Sequence, residues 1–213
     1  MKIQILISKD SWANDYINYI KKRLKKKNVK IVFLDNYNKL KKKFDLNIAF
    51  SYFKKIPYKY FEYSKYNLVC HESNLPKGRG MSPLTWQLLK NKKKITFSLI
   101  DLEKKMDTGC IYLQKKVKFK NDLLFNEIKY IQVKENINMI IKFLELHKRQ
   151  KLIKRKQIGT PSYYPKRSPK LNKIDINKSI KDQFNLIRLS DNKFYQNYFF
   201  LRNKKYFLKI YKK

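Results

Sequence analysis

The sequence predicts an α/β fold: a largely parallel sheet with helices on both faces, followed by a small C-terminal extension with a helix and a hairpin. Three observations carry this. Short Ile-, Leu- and Val-rich segments alternate with helical stretches through the first 150 residues. Two strand-like segments, Ile95–Leu102 and Cys110–Val117, lie too close together for a crossover helix and must pair antiparallel. Two further aromatic runs, Tyr198–Leu201 and Tyr206–Ile210, flank Asn203 as a hairpin flanks its turn.

Lys2–Ser8 alternates and is rich in Ile, so it reads as the first strand. Ser11 is placed to cap a helix over Trp12–Lys27, whose apolar Trp12, Tyr16, Tyr19, Ile20 and Leu24 recur at helical spacing. Lys30–Leu34 is the second strand and Lys39–Phe44 a short helical stretch. Asn47–Phe53 is the third strand, and Pro57 opens another short helix. Asn67–His71 is the fourth strand. Thr85–Leu89 reads as helix and Leu123–His147 as a long one. A basic link, Lys148–Lys156, leads into a Tyr- and Pro-rich extended segment, Gln157–Pro169, and then a helix over Lys178–Leu189. This divides the chain into a catalytic-type domain, 1–150, and an extension, 151–213.

Composition sets the outer limits. With 213 residues, 43% hydrophobic and 15% aromatic, the chain has material for a packed core. Disorder needs low hydrophobicity as well as high charge, and only the charge is present. No apolar run approaches the roughly 20 residues that span a bilayer, and Met1–Ser8 lacks the features of a secretory leader. Two cysteines are too few for a disulfide framework. A cytoplasmic protein with reduced thiols and no membrane contact is expected. The net charge of +36 points to nucleic acid or another polyanion if read functionally. The lysines are nevertheless spread along the whole chain, and Asn, Ile, Tyr and Phe are abundant while Gly and Pro are scarce. We read the charge chiefly as compositional bias.

Two segments carry chemistry. In Asn67–Gly80 (NLVCHESNLPKGRG) a strand delivers His71 to its carboxyl end, where open α/β sheets bind ligands. Half of the chain's four glycines, Gly78 and Gly80, fall in the loop that follows. A lone His is more often structural than catalytic. The loop lacks P-loop spacing. In Met106–Gln114 (MDTGCIYLQ), Asp107 sits in a turn before a strand. Its bland reading is an Asx turn. Asp-Thr-Gly matches a protease signature, but nothing else supports a protease. No Cys/His cluster has metal-ligand spacing, so no metal is expected.

Together these segments resemble the 10-formyltetrahydrofolate-dependent formyltransferase family. His71, Ser73, Leu75, Pro76 and Arg79-Gly80 fill the family's His-x-Ser-x-Leu-Pro and basic-Gly positions. Asp107, Gly109, Leu113 and Gln114 fill its Asp-x-Gly and Leu-Gln positions. Phe50–Phe53 with Ile56-Pro57 is similar to its pterin-binding strand end. The run His71–Leu89 and the tail, with Tyr163-Tyr164-Pro165-Lys166-Arg167-Ser168-Pro169 and Phe184–Arg188, are closest to the sugar N-formyltransferases. One position departs. The family's Asn two residues before the His is Val69 here, and Asn67 or Asn74 could take its role.

The resemblance implies a Rossmann-like formyltransferase sheet and formyl transfer from 10-formyltetrahydrofolate to the amine of a nucleotide-linked amino sugar, without a metal. His71 would stabilise the oxyanion, and Asp107 would orient the ring and carry the amine's proton. Phe50, Ser51, Tyr52, Phe53, Ile56, Pro57, Ser73, Asn74, Gly78 and Gly80 would hold the folate. Arg79, Tyr163, Tyr164, Arg167 and Arg188 would shape the acceptor side. Methionyl-tRNA is the alternative acceptor. The charge favours it, while the 65 residues after Lys148 are fewer than the barrel of the tRNA enzymes needs. A catalytically impaired homologue that binds folate or sugar is the third reading. The aromatic tail could also form a homodimer surface.

Overall fold

The computed structural model describes every residue except Phe194. Its centre is a six-stranded sheet in the order β2-β1-β3-β4-β6-β7. β1 (Lys2–Leu6), β2 (Lys30–Leu34), β3 (Phe44–Ala49) and β4 (Ser64–His71) run parallel; β6 (Lys94–Asp101) and β7 (Ile111–Lys118) complete the sheet antiparallel. β1 is buried continuously from Ile3 to Leu6, as a central strand covered on both faces should be. β7, at the edge, carries exposed Lys115, Lys116 and Lys118, which discourage edge pairing.

Helices α1 (Ile17–Lys25), α2 (Pro83–Leu89) and α3 (Phe125–Lys148) pack into the core of the sheet, and α4 (Ile180–Arg188) packs on α2. Ile3, Ile5, Leu46, Ile48, Leu68, Phe97 and Leu99 form one core with Ile20 and Leu24 of α1 and Ile128, Val133, Ile137, Ile140 and Phe143 of α3. Strand alternation sends Val69 the other way, onto Leu75, Ile100 and Ile111. Each fully buried Ile or Leu contributes roughly 1.5–3 kcal/mol by leaving water, so this core is the main stabilising term.

Several local expectations change. Ser11 caps as expected, with its Oγ accepting from the Ala13 amide at 3.1 Å, but Trp12–Tyr16 is a 3₁₀ turn that precedes α1. Lys39–Phe44 is not helical: a single 3₁₀ turn covers Tyr37–Lys39, and Phe44 already begins β3. β3 therefore ends at Ala49, and Phe50–Phe53 leave the sheet instead of completing the strand. The cause is Ser51, whose left-handed φ of 52° breaks the extended run.

The extension is laced to the sheet domain. Arg79–Gly80 (β5) and Tyr163–Tyr164 (β8) form a short parallel ladder. Arg155 bridges Ile111 in both directions at 2.8 and 3.0 Å. β9 (Asn197–Leu201) and β10 (Lys204–Leu208) make the closing hairpin, with left-handed Arg202 and Asn203 in its two-residue turn.

Candidate active site

Beyond the carboxyl ends of β3 and β4 lies a cavity of about 720 Å³, within the range of small-molecule sites. His71 ends β4 and is 5% exposed. Its Nε2 meets the Gly78 carbonyl at 2.8 Å, so that nitrogen carries the hydrogen. Its Nδ1 faces Asp107 Oδ1 at 3.5 Å, close enough for an ion pair but long for a hydrogen bond. Asp107 is itself held. Its Oδ2 accepts from the Gly80 amide at 2.8 Å, which leaves Oδ1 turned to the histidine. The sequence placed His71 at a strand end and Asp107 in the turn before a strand; the fold keeps Asp107 in the β6–β7 turn and brings the two together on the cavity wall.

The support beneath them is a second network. Gln157 Nε2 donates to the carbonyls of Asp107 and Gly109, at 2.8 and 2.9 Å. Its Oε1 accepts from Arg79 Nη2 at 2.6 Å and Nε at 3.2 Å. One side chain thus clamps the Asp107 turn to the loop that carries Gly78 and Gly80. Gln114 Nε2 donates to Ser98 Oγ at 2.9 Å, and Ser98 Oγ donates to the Ser73 carbonyl at 2.7 Å, fixing the residue pair just after His71. Gly109 has no alternative, because any Cβ there would run into the Asp101 carbonyl. Gly80, at φ 99°, passes so close to Tyr164 that a side chain would strike its carbonyl oxygen.

Among the described residues, three of the nine non-glycine residues with positive φ, Ser51, Ser82 and Asp107, line this cavity. Each costs about 1–2 kcal/mol, and such strain gathers at functional sites. Ser51 is held by a hydrogen bond from Ser11 Oγ at 2.9 Å.

The remaining expected residues divide. Phe50, Ser51, Tyr52, Phe53, Ile56 and Gly80 line the cavity. Pro57, Ser73, Asn74 and Gly78 do not; Ser73 and Gly78 are buried in the loop behind it. Asn67 is not at the cavity either. Its Nδ2 donates to the Phe61 carbonyl at 2.7 Å and its Oδ1 accepts from Asn47 at 2.9 Å, so its amide is committed within the sheet. Asn74 is exposed and contacts Gln114. Neither amide replaces the one lost at Val69, which does line the cavity.

On the tail, Tyr164 stacks on Trp86, with ring centroids 6.4 Å apart. Arg79 reaches the Tyr163 hydroxyl at 3.4 Å. Arg167 donates to Asn172 at 2.6 Å, and its Nε is buried without a partner. Arg188 is 1% exposed and is spent on Asn185 and the Leu123 carbonyl, at 2.8 and 3.1 Å. It braces α4 against the start of α3, and, like Arg79, Tyr163, Tyr164 and Arg167, it does not line the cavity.

Sequence reasoning passed over the inner wall. Glu72, Lys129, Gln132 and Asn136 are all buried and all line the cavity. Burial pushes the Lys129 ammonium down to about 8; the Glu72 carboxylate opposes that shift, Arg167 adds to it, and Asp191 also opposes it. Burial likewise pushes the Cys70 thiol well up, away from reactive thiolate character. Among the described residues, no group of three or more His, Cys, Asp or Glu side chains is placed to hold a metal, and no helix is long and apolar enough to cross a membrane.

A family profile described as formyl transferase matches residues 18–142. The chain belongs to the formyl transferase family. Among curated relatives, a methionyl-tRNA formyltransferase of Clostridium beijerinckii is 29% identical over 126 residues, covering 58% of this chain and 41% of that protein. The chain spans less than half the length of the first curated family members it matches. Among solved structures, a methionyl-tRNA formyltransferase from Clostridium thermocellum superposes with a TM-score of 0.76 at 22% identity, over 96% of this chain and 90% of that one. A 4-N formyltransferase from Francisella tularensis superposes at 0.69 and 19% identity, over 98% and 96%. The mixed sheet with helices on both faces is therefore the family's fold.

Proposed function

We propose that this formyl transferase family member moves the formyl group of 10-formyltetrahydrofolate onto the amine of a nucleotide-linked amino sugar. The observation that carries the reading is His71, anchored at Nε2 and open at Nδ1 toward Asp107, on the wall of a cavity at the sheet's carboxyl edge. The folate fits what the chain offers. Phe50–Phe53, Ile56, Phe61 and Leu102 give a flat ring apolar cover.

When bound, the folate supplies an electrophilic formyl carbon. The Gly78 carbonyl fixes the imidazole plane, so that the Nδ1 edge faces the reacting group. A protonated Nδ1 donates to the formyl oxygen as negative charge grows there. Asp107 Oδ1, held in place through the Gly80 amide, lies 3.5 Å from Nδ1; it would receive the proton the attacking amine must lose and return it to the folate nitrogen as the bond from that nitrogen to the formyl carbon breaks. Apo distances of this length commonly tighten once substrate is present.

Methionyl-tRNA remains the second reading, favoured by the names of the curated relatives and by the +36 charge. The sugar reading draws support from the run His71–Leu89 and from the tail motifs Tyr163–Pro169 and Phe184–Arg188. Division into a catalytic domain and an acceptor-side extension, a cytoplasmic location and a homodimer belong to the same proposal.

The test is incubation with 10-formyltetrahydrofolate and a panel of nucleotide-linked amino sugars, free amino sugars and Met-tRNA, following tetrahydrofolate release. Turnover with nucleotide-linked amines supports the proposal. Turnover with Met-tRNA alone hands the assignment to the second reading. Folate binding without turnover makes the protein a binding homologue.

A further inference from the structure

The cavity has a second chemical face that the formyl-transfer machinery leaves unused. Glu72, Lys129, Gln132 and Asn136 are 7%, 9%, 7% and 4% exposed and line the cavity together with His71. Glu72 follows His71 directly, at the end of β4, and the other three lie on successive turns of α3.

A structural role alone leaves this group poorly satisfied. Glu72 Oε1 accepts from Asn136 Nδ2 at 3.0 Å, and Asn136 Oδ1 is buried with no partner. Lys129 Nζ donates to Gln132 Oε1 at 2.9 Å and sits over the Trp12 ring at 4.4 Å. Among the described residues no ion pair joins Glu72 to a cation or Lys129 to a carboxylate. Two buried charges held apart, beside an orphaned amide oxygen, are costly unless something bridges them.

We propose that this wall is the acceptor-recognition site, and that it takes the hydroxyl- and amine-bearing ring of a sugar. The inference rests on the reading of the chain as an amine formyltransferase and narrows its acceptor. A carboxylate, an amide oxygen, an amide donor and an ammonium offer alternating acceptors and donors, as a ring with several hydroxyls needs. The face of Trp12, with Pro83 and Leu84, offers apolar cover for the ring's C–H face. Glu72 adjoins His71 in sequence and is bonded to Asn136, and this pair holds the acceptor by hydrogen bonds; the proton of the reaction stays with Asp107. A methionyl side chain has neither hydroxyl nor N–H. Seated here it would leave the buried carboxylate and ammonium unpaired, which a polar site penalises heavily.

The test uses full-length protein and dTDP- and UDP-linked hexoses carrying an amine at C3 or C4. Glu72→Gln keeps the side chain's shape and its acceptor oxygen for Asn136 but removes the charge. Expected is a rise of about 10–100-fold in the KM of the sugar, the size of losing a charged hydrogen bond, with affinity for 5-formyltetrahydrofolate changed less than twofold. In a Trp86→Phe background, which leaves Trp12 as the fluorophore, the change in emission on adding the nucleotide-linked sugar should weaken in parallel. Gln132→Leu, which leaves the Glu72–Asn136 contact intact, carries the same expectation and serves if Glu72→Gln does not fold. Unchanged sugar KM in a folded variant of an active enzyme overturns the inference and leaves formyl transfer standing. Wild-type turnover with Met-tRNA but with no sugar overturns it too. Failure to bind 5-formyltetrahydrofolate would strike the functional reading itself.

Discussion

The cavity's outer rim and its inner wall use the same residue type in opposite ways. On the rim, Lys54, Lys55, Lys104 and Lys105 are exposed and surround the mouth. On the wall a single lysine, Lys129, is buried against Trp12 and Phe125. In water two charges 4 Å apart interact by about 1 kcal/mol, and salt screens even that. Behind the wall, desolvation is the largest influence on an ammonium that ends near 8, against the opposing pull of the Glu72 and Asp191 carboxylates. The large net charge thus describes the surface, while the buried groups of the wall answer to desolvation and to one another.

The largest break should come at the wall's reactive pair. His71→Asn and Asp107→Asn should each lower kcat by about 10³ or more, in line with losing a positioned donor or base, with folate affinity retained in equilibrium binding. Near wild-type turnover in either variant would remove these residues from the mechanism.

Gln157→Glu should come next. It keeps the acceptor for Arg79 but loses the donor to the Asp107 and Gly109 carbonyls. We expect kcat to fall about 10–100-fold through misplacement of Asp107 while folate KM stays within a few fold. A fall in KM affinity alone would argue against a positioning role.

The buried lysine sharpens the comparison through stability. Its folded value of about 8 lies below the unfolded 10.5. The unfolded chain therefore binds more protons between those values, and stability rises with pH across that window. Against Lys129→Gln, wild type should gain about 2 kcal/mol between pH 7.5 and 10 in urea melts, a shift of under two pKa units at 1.36 kcal/mol each. A pH-independent difference would mean the ammonium is hydrated.

The smallest effect belongs to the rim. Replacing Lys54, Lys55, Lys104 and Lys105 together by Ser should raise substrate KM roughly threefold at low salt, an effect that vanishes near 1 M, where the Debye length is about 3 Å. A large, salt-insensitive loss would show that these lysines grip the ligand directly.

Much of the fold was legible because hydrophobic periodicity is local. β1, β2, the long α3 and the hairpin around Asn203 all follow from runs of five to two dozen residues. Where tertiary contacts decide, the reading slipped. β3 begins at Phe44 because Leu46 pairs with Ile3 of β1, and ends where Ser51 is tied to Ser11, 40 residues away. The site shows the same split. His71 and Asp107 stand out in motifs, whereas Gln157 reaches Asp107 across 50 positions, with no local pattern to mark it. Lys129 was hidden among 52 basic residues. Asn67 sits on the expected alternation of β4, but a neighbouring strand had already claimed its amide. The pattern of a strand reports direction, not availability.

The short ladder between β5 and β8 has a consequence for engineering. Ser162 takes the Arg79 amide on its carbonyl and the Gly78 amide on its hydroxyl, both at 2.9 Å, and Tyr164 receives the Met81 amide at 3.1 Å. Gln157 anchors the opposite turn. The chain after residue 150 thus finishes the mould that holds His71 and Asp107 in place. A chimera that exchanges this tail to import another acceptor preference must bring a compatible Arg79–Met81 loop with it. Crossovers placed after residue 164 keep both halves of the mould from one parent, and should yield working recombinants far more often than crossovers near residue 150.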